Sequence, residues 1–131
     1  MTQQKMIDYT VFLLRVVTGI IFIENGGLKI FGWFGGIPGV TELPTLILLA
    51  GILEFFGGIA ILLGLFTRPI AFVLSGQMAV AYFIAHATQS NFYAPLINQG
   101  QPAVLLSFIF LFFAAYGAGI CSIDGWFKNS K

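Results

Sequence analysis

At 131 residues the chain has room for one domain, and 58% of it is hydrophobic while 8% is charged. A soluble domain carries about a quarter charged residues, so a water-solvated surface is excluded and lipid is the expected solvent. The formal net charge of +1, without charge runs, offers no face to nucleic acid.

About 20 apolar residues cross the hydrocarbon core as a helix, and four stretches qualify: 7–31, 43–66, 69–88 and 103–120. Pro44, Pro69 and Pro102 lie where a first helical turn tolerates a missing N–H. The segments GWFGGIPG at 32–39 and TQSNFYAPLINQGQP at 88–102 carry loop chemistry. Even spans and mostly short connections predict an all-α antiparallel four-helix bundle, a single transmembrane domain over 1–131. The first span is not read as a secretory signal, because Arg15 interrupts it and no small-x-small cleavage site follows.

Lys5, Arg68, Lys128 and Lys131 fall on one side of such a bundle, and Lys29 is the sole Lys or Arg offered by the opposite loops. The positive-inside rule then places both termini in the cytoplasm, with Trp33 and Trp126 at opposite interfaces.

Helical spacing assigns faces to the polar residues within the spans. On the first helix, Arg15, Gly19, Phe22, Gly26 and Lys29 form one stripe, bordered by Thr18 and Asn25. On the second, Ala50, Gly51, Glu54, Gly57 and Gly58 cluster, and small neighbours turn Glu54 toward protein. On the third, Ser75, Ala79, Tyr82 and His86 align, with Gln77 offset as an interhelical contact. An isolated charge at the bilayer centre costs about 2.5–3.5 kcal/mol on insertion scales, so pairing or protonation must explain Glu54. Arg15, roughly 6 Å toward the cytoplasm from its helix midpoint, is the expected partner. Glu24, Lys29 and His86 lie toward the outer helix ends and could form a second cluster, although Glu24 projects nearly opposite the Arg15–Lys29 stripe. A helix flank or the headgroups are its alternatives. The plainer readings are a structural ion pair for Arg15 and Glu54, an interfacial hydrogen bond for His86, and packing for the glycines.

Several chemistries lack their residues. Cys121 is the one cysteine and His86 the one histidine, so there is no disulfide, no CxxC pair, no bis-His haem site and no metal-ligand spacing. GxGxxG and phosphate-loop patterns are also absent. Redox chemistry would need a diffusible or borrowed carrier, and an intramembrane pocket offering a carboxylate, His, Tyr and aromatic rings would suit a quinone.

The segments LLRVVTGIIFIENGGLKIFGW and LLAGILEFFGGIAILLGLFTRP, with MAVAYFIAHA and GAGICSIDGW, resemble the DoxX family of small four-helix membrane proteins. The stretch from Leu53 to Arg68 is its most specific part. Members resemble a subunit of thiosulfate:quinone oxidoreductase, which implies a bacterial inner-membrane protein taking part in quinone-linked redox reactions within a larger complex. Arg15, Gly26 and Lys29 match the first-helix pattern, and Glu54, Arg68 and His86 match later motifs. Two positions depart from the pattern: ENG at 24–26, where a His commonly precedes the Gly, and Gln101, where the late loop often carries an acidic residue. The expected site comprises Glu54 and His86 as catalytic candidates and Arg15, Lys29 and Tyr82 as quinone-binding candidates. Expected partners are the lipid bilayer, a soluble or membrane redox protein and a second copy of the chain. A non-catalytic anchor or assembly factor, and a proton or small-solute pathway, are the competing functions.

Overall fold

The computed structural model describes residues 1–87 and 93–130. Its described elements are helical. Helix α1 runs Gln3–Phe31, α2 Thr45–Leu63, α3 Thr67–Ala81 and α5 Gln101–Tyr116; the short helices α4, Pro95–Asn98, and α6, Ile123–Asn129, flank α5. Trp33–Gly35 makes a single 3₁₀ turn, and Tyr82–His86 extends α3 as a π-helical turn. Three of these are long and apolar enough to cross a membrane: α1, α2, and α3 with its π turn; α5 is a shorter apolar helix.

The helix ends depart from the expected spans for local reasons. Helix α1 starts four residues before position 7, because the Thr2 side chain accepts a hydrogen bond from the Lys5 N–H and caps a polar first turn. Helix α2 stops at Leu63 rather than 66, since Gly64 adopts φ +67° and its N–H closes back on the helix. Helix α3 opens at Thr67 rather than Pro69: both carboxylate oxygens of Asp124 accept N–H groups at its start, from Phe66 and Thr67, each at 2.8 Å. Pro69 still falls within the first turn. Helix α5 ends at Tyr116 rather than 120, and Gly117 (φ +95°) turns the chain out of it. Thr88, the last residue of the third expected span, lies outside the described residues, as do positions 88–92 of the expected loop; α4 occupies part of that loop's remainder. Helix α6 was not expected; Ser122 caps it through the Gly125 N–H.

Helix α1 packs along α2 at very short range. A Cβ at Gly19 would stand 2.9 Å from the Leu62 Cα, and one at Gly26 only 2.7 Å from the Gly51 carbonyl oxygen, so these positions exclude any larger residue. Helix α3 packs along α5, where Ser75 and Ser107 exchange hydroxyl-to-carbonyl hydrogen bonds of 2.7 and 3.0 Å. The two pairs meet over a core of Phe22, Ile61, Leu74, Phe110 and Phe113. Phe22 stands edge-on to Phe110, ring centroids 4.5 Å apart.

Candidate functional site

Arg15 does not pair with Glu54. Its guanidinium donates instead to the backbone carbonyls of Ala118, Ile120 (3.1 Å) and Cys121 (2.6 Å), in the loop that leaves α5. Depth is the reason. A Cβ at Gly64 would lie 3.1 Å from Arg15 Nη1, and Gly64 follows Glu54 by ten residues, about 15 Å along a helix. Helical side chains also lean toward their own N-terminus, which carries the guanidinium further from Glu54. Arg15 is 1% exposed, and its Cζ stands 5.6 Å from the Phe12 ring centroid.

The same lean brings Lys29 back from the end of α1 to Glu54. Its ammonium forms the salt bridge to Glu54 Oε2. Gln77 Nε2 donates to Glu54 Oε1 at 2.8 Å from α3. Glu54 is 2% exposed, so a buried carboxylate receives one charged and one neutral donor, from two different helices. Gln77 was foreseen as an interhelical contact; the cue that it belongs to the carboxylate is a second polar side chain inside an apolar span, but its partner depends on relative helix depth.

Glu24, Lys29 and His86 do not assemble into a second cluster. Lys29 is taken by Glu54, and Glu24 is exposed on the opposite flank of α1. His86 Nδ1 lies 3.1 Å from the Asn98 carbonyl oxygen, which can only accept, so Nδ1 carries the proton in this arrangement. Asn98 also donates through Nδ2 to the Tyr82 hydroxyl at 3.1 Å, and the Tyr82 ring stacks on His86 at 6.4 Å. Asn98 thus ties α4 to the π turn. Such turns recur at functional sites.

An apolar, partly open cavity of about 520 Å³ lies between the two helix pairs. Phe22, Leu53, Met78, Ala81 and Leu106 contribute apolar wall, while Lys29, Glu54, Gln77 and His86 contribute its chemistry. Of the expected site residues, Lys29, Glu54 and His86 line this cavity, and Arg15 and Tyr82 stand outside its lining. The volume falls within the range of small-molecule sites, about 300–1,000 Å³. Its composition fits a planar apolar ring with polar substituents: a mostly hydrocarbon wall, one carboxylate fixed by two donors, and an imidazole.

Apolar helices that turn Lys29 and Glu54 inward to such a cavity define a small α-helical membrane protein with an intramembrane polar site. The DoxX family profile matches residues 10–87, and the chain belongs to the DoxX family. It is 41% identical over 128 residues to an uncharacterized protein of Haemophilus influenzae, with 95% of each chain covered. It is 37% identical to the inner membrane protein YqjF of Escherichia coli, covering 92% of this chain and 94% of that one. Similarity extends at 28% identity to CatD of Bacillus subtilis, whose name assigns it provisionally to the oxidoreductases, over 97% of this chain and 94% of the relative. No solved structure matches.

Proposed function

We propose that this chain is a bacterial inner-membrane protein that binds a quinone-type ring in the cavity and takes part in quinone-linked redox reactions as a subunit of a larger complex. The observation that carries the reading is the Lys29–Glu54–Gln77 cluster on the wall of an apolar cavity of about 520 Å³. The similarity to YqjF supports the membrane, and CatD's name supports the reaction class. In this reading α1, α2, α3 with its π turn, and α5 cross the bilayer as one antiparallel four-helix domain, both termini cytoplasmic.

Within the site, each side chain has a distinct task. Lys29 and Gln77 fix the carboxylate of Glu54, so its position does not depend on the ligand. The carboxylate is the group that exchanges a proton at the ring oxygen nearest it. His86, with Nδ1 committed to Asn98, presents Nε2 as the remaining ring nitrogen, and Tyr82 orients that imidazole through Asn98 and by stacking. The apolar wall excludes water from the cluster. A quinone, when bound, supplies two-electron chemistry that this chain's side chains cannot perform.

Purification from the native membrane in mild detergent, followed by mass spectrometry of the extract, tests the reading. It predicts stoichiometric quinone in the wild type and none in a folded Glu54→Leu variant. A second reading has its own support: the cluster joins α1, α2 and α3, which suits a structural pin in a membrane anchor. Quinone-free protein holding a soluble redox enzyme, unaffected by Glu54 substitutions, would select it.

A further inference from the structure

Glu24 is the charged residue in the apolar part of α1 that neither the cavity nor the fold uses. It is exposed, and among the described residues it makes no hydrogen bond or ion pair. Nor does it sit at a helix end. Phe31, the last residue of α1, lies seven residues on, about 10 Å away. The packing of Gly19 on Leu62 and Gly26 on Phe55 sets Glu24 near the level of Gly57. That level is six residues from the end of α2 and twelve from its start, about 9 and 18 Å.

The surroundings of Glu24 are apolar and outward. Leu13, Val17, Ile20 and Phe31, exposed by 59, 52, 44 and 60%, share its face of α1 at spacings of four, three and eleven residues, with Glu24 four residues after Ile20. Intramembrane carboxylates pair with other groups inside protein or line water-filled cavities. A two-methylene side chain also lacks the reach with which Lys and Arg snorkel to the surface.

We propose that the Leu13–Val17–Ile20–Glu24 face of α1 is the docking surface for a transmembrane helix of another protein, which presents a Lys or Arg to Glu24 at the matching depth. Charge complementarity chooses this occupant over a second copy lying alongside in the same orientation. Of the described cations, Lys29 is engaged by Glu54 and Arg15 by three carbonyls. Lys5, Arg68 and Lys128 belong to the start of α1, the start of α3 and to α6, far from the level of Glu24. The proposal is independent of the quinone reading, since this face lies outside the cavity lining.

A photoreactive amino acid replacing Ile20 of the full chain, in native membranes, tests it with cross-linked peptides identified by mass spectrometry. The expected product is one transmembrane segment with a Lys or Arg within a turn of the attachment point. Glu24→Lys should cut its yield at least about tenfold, as a desolvated attraction becomes repulsion, and converting the partner's base to Glu should restore it. Glu24→Leu, compatible with lipid and with the isolated fold, should lose the product as well. Adducts only to lipid, adducts to a second copy, or a yield indifferent to both Glu24 variants would overturn the proposal.

Discussion

Glu54 is held by two donors while 2% exposed, and Lys29 depends on it in return. Replacing Glu54 by Leu leaves the partly buried Lys29 ammonium without its partner, a destabilisation of at most about 3–5 kcal/mol, the cost when a fully buried pair loses one member. Adding Lys29→Met should recover most of that stability. Thermal unfolding in detergent checks both variants, and a double variant no better than Glu54→Leu would deny the pair its importance. Arg15→Met should destabilise separately, by about 1–3 kcal/mol for each buried carbonyl left without a donor. Because Arg15 and Glu54 share no partner, their effects should add within about 0.5 kcal/mol. That Glu54 must face protein and be compensated was legible from its small neighbours Gly51, Gly57 and Gly58. Its partner was not. Both Arg15 and Lys29 lie on the correct stripe of α1, and the choice rests on α1–α2 depth and the direction of side-chain lean, neither of which the chain spells out. Backbone carbonyls, the actual partners of Arg15, carry no sequence signature at all.

Among the elements, the existence of α1, α2, α3 and α5 was plain from hydrophobicity, that of the short α4 and α6 was not, and helix ends were set by contacts distant in the chain. Apolar residues continue past Gly64 and Gly117, so composition alone carries α2 and α5 a turn too far, while the left-handed glycines end them. Asp124 caps α3 from 57 residues away, an arrangement no local pattern announces. Asp124→Ala should cost about 1 kcal/mol, within the 0.5–2 kcal/mol range of lost caps, and increase hydrogen exchange at the Phe66 and Thr67 amides. Unchanged exchange there would remove Asp124 from its role. Gly26 has a harder constraint, since the Phe55 backbone and the Gly51 carbonyl fill the space a side chain would take. Gly26→Leu should force α1 and α2 apart, destabilise by more than the about 1–3 kcal/mol typical of overpacked cores, and widen the cavity entrance beside Lys29.

For the whole molecule, the membrane class followed from composition, and the DoxX resemblance from motifs spread over most of the chain. The cavity was visible only in part, because it arises from how the α1–α2 pair stands against the α3–α5 pair. The proposed orientation has its own check in Cys121, the exposed cysteine between α5 and α6. A membrane-impermeant maleimide should label it in inverted vesicles and leave it unlabelled in intact spheroplasts; the reverse pattern would invert the bundle. The most direct test of the central claim is quinone affinity in lipid nanodiscs, measured for wild type, Glu54→Gln, and Phe72→Leu as an exposed control. The account predicts saturable binding of one quinone-type ring per chain, oxidised or reduced. Binding of the reduced ring, whose hydroxyl donates to the carboxylate, should be weakened about tenfold or more by Glu54→Gln through loss of a charge-assisted hydrogen bond, with Phe72→Leu unchanged. Binding that is absent, or binding of the reduced ring that Glu54→Gln leaves intact, would contradict it.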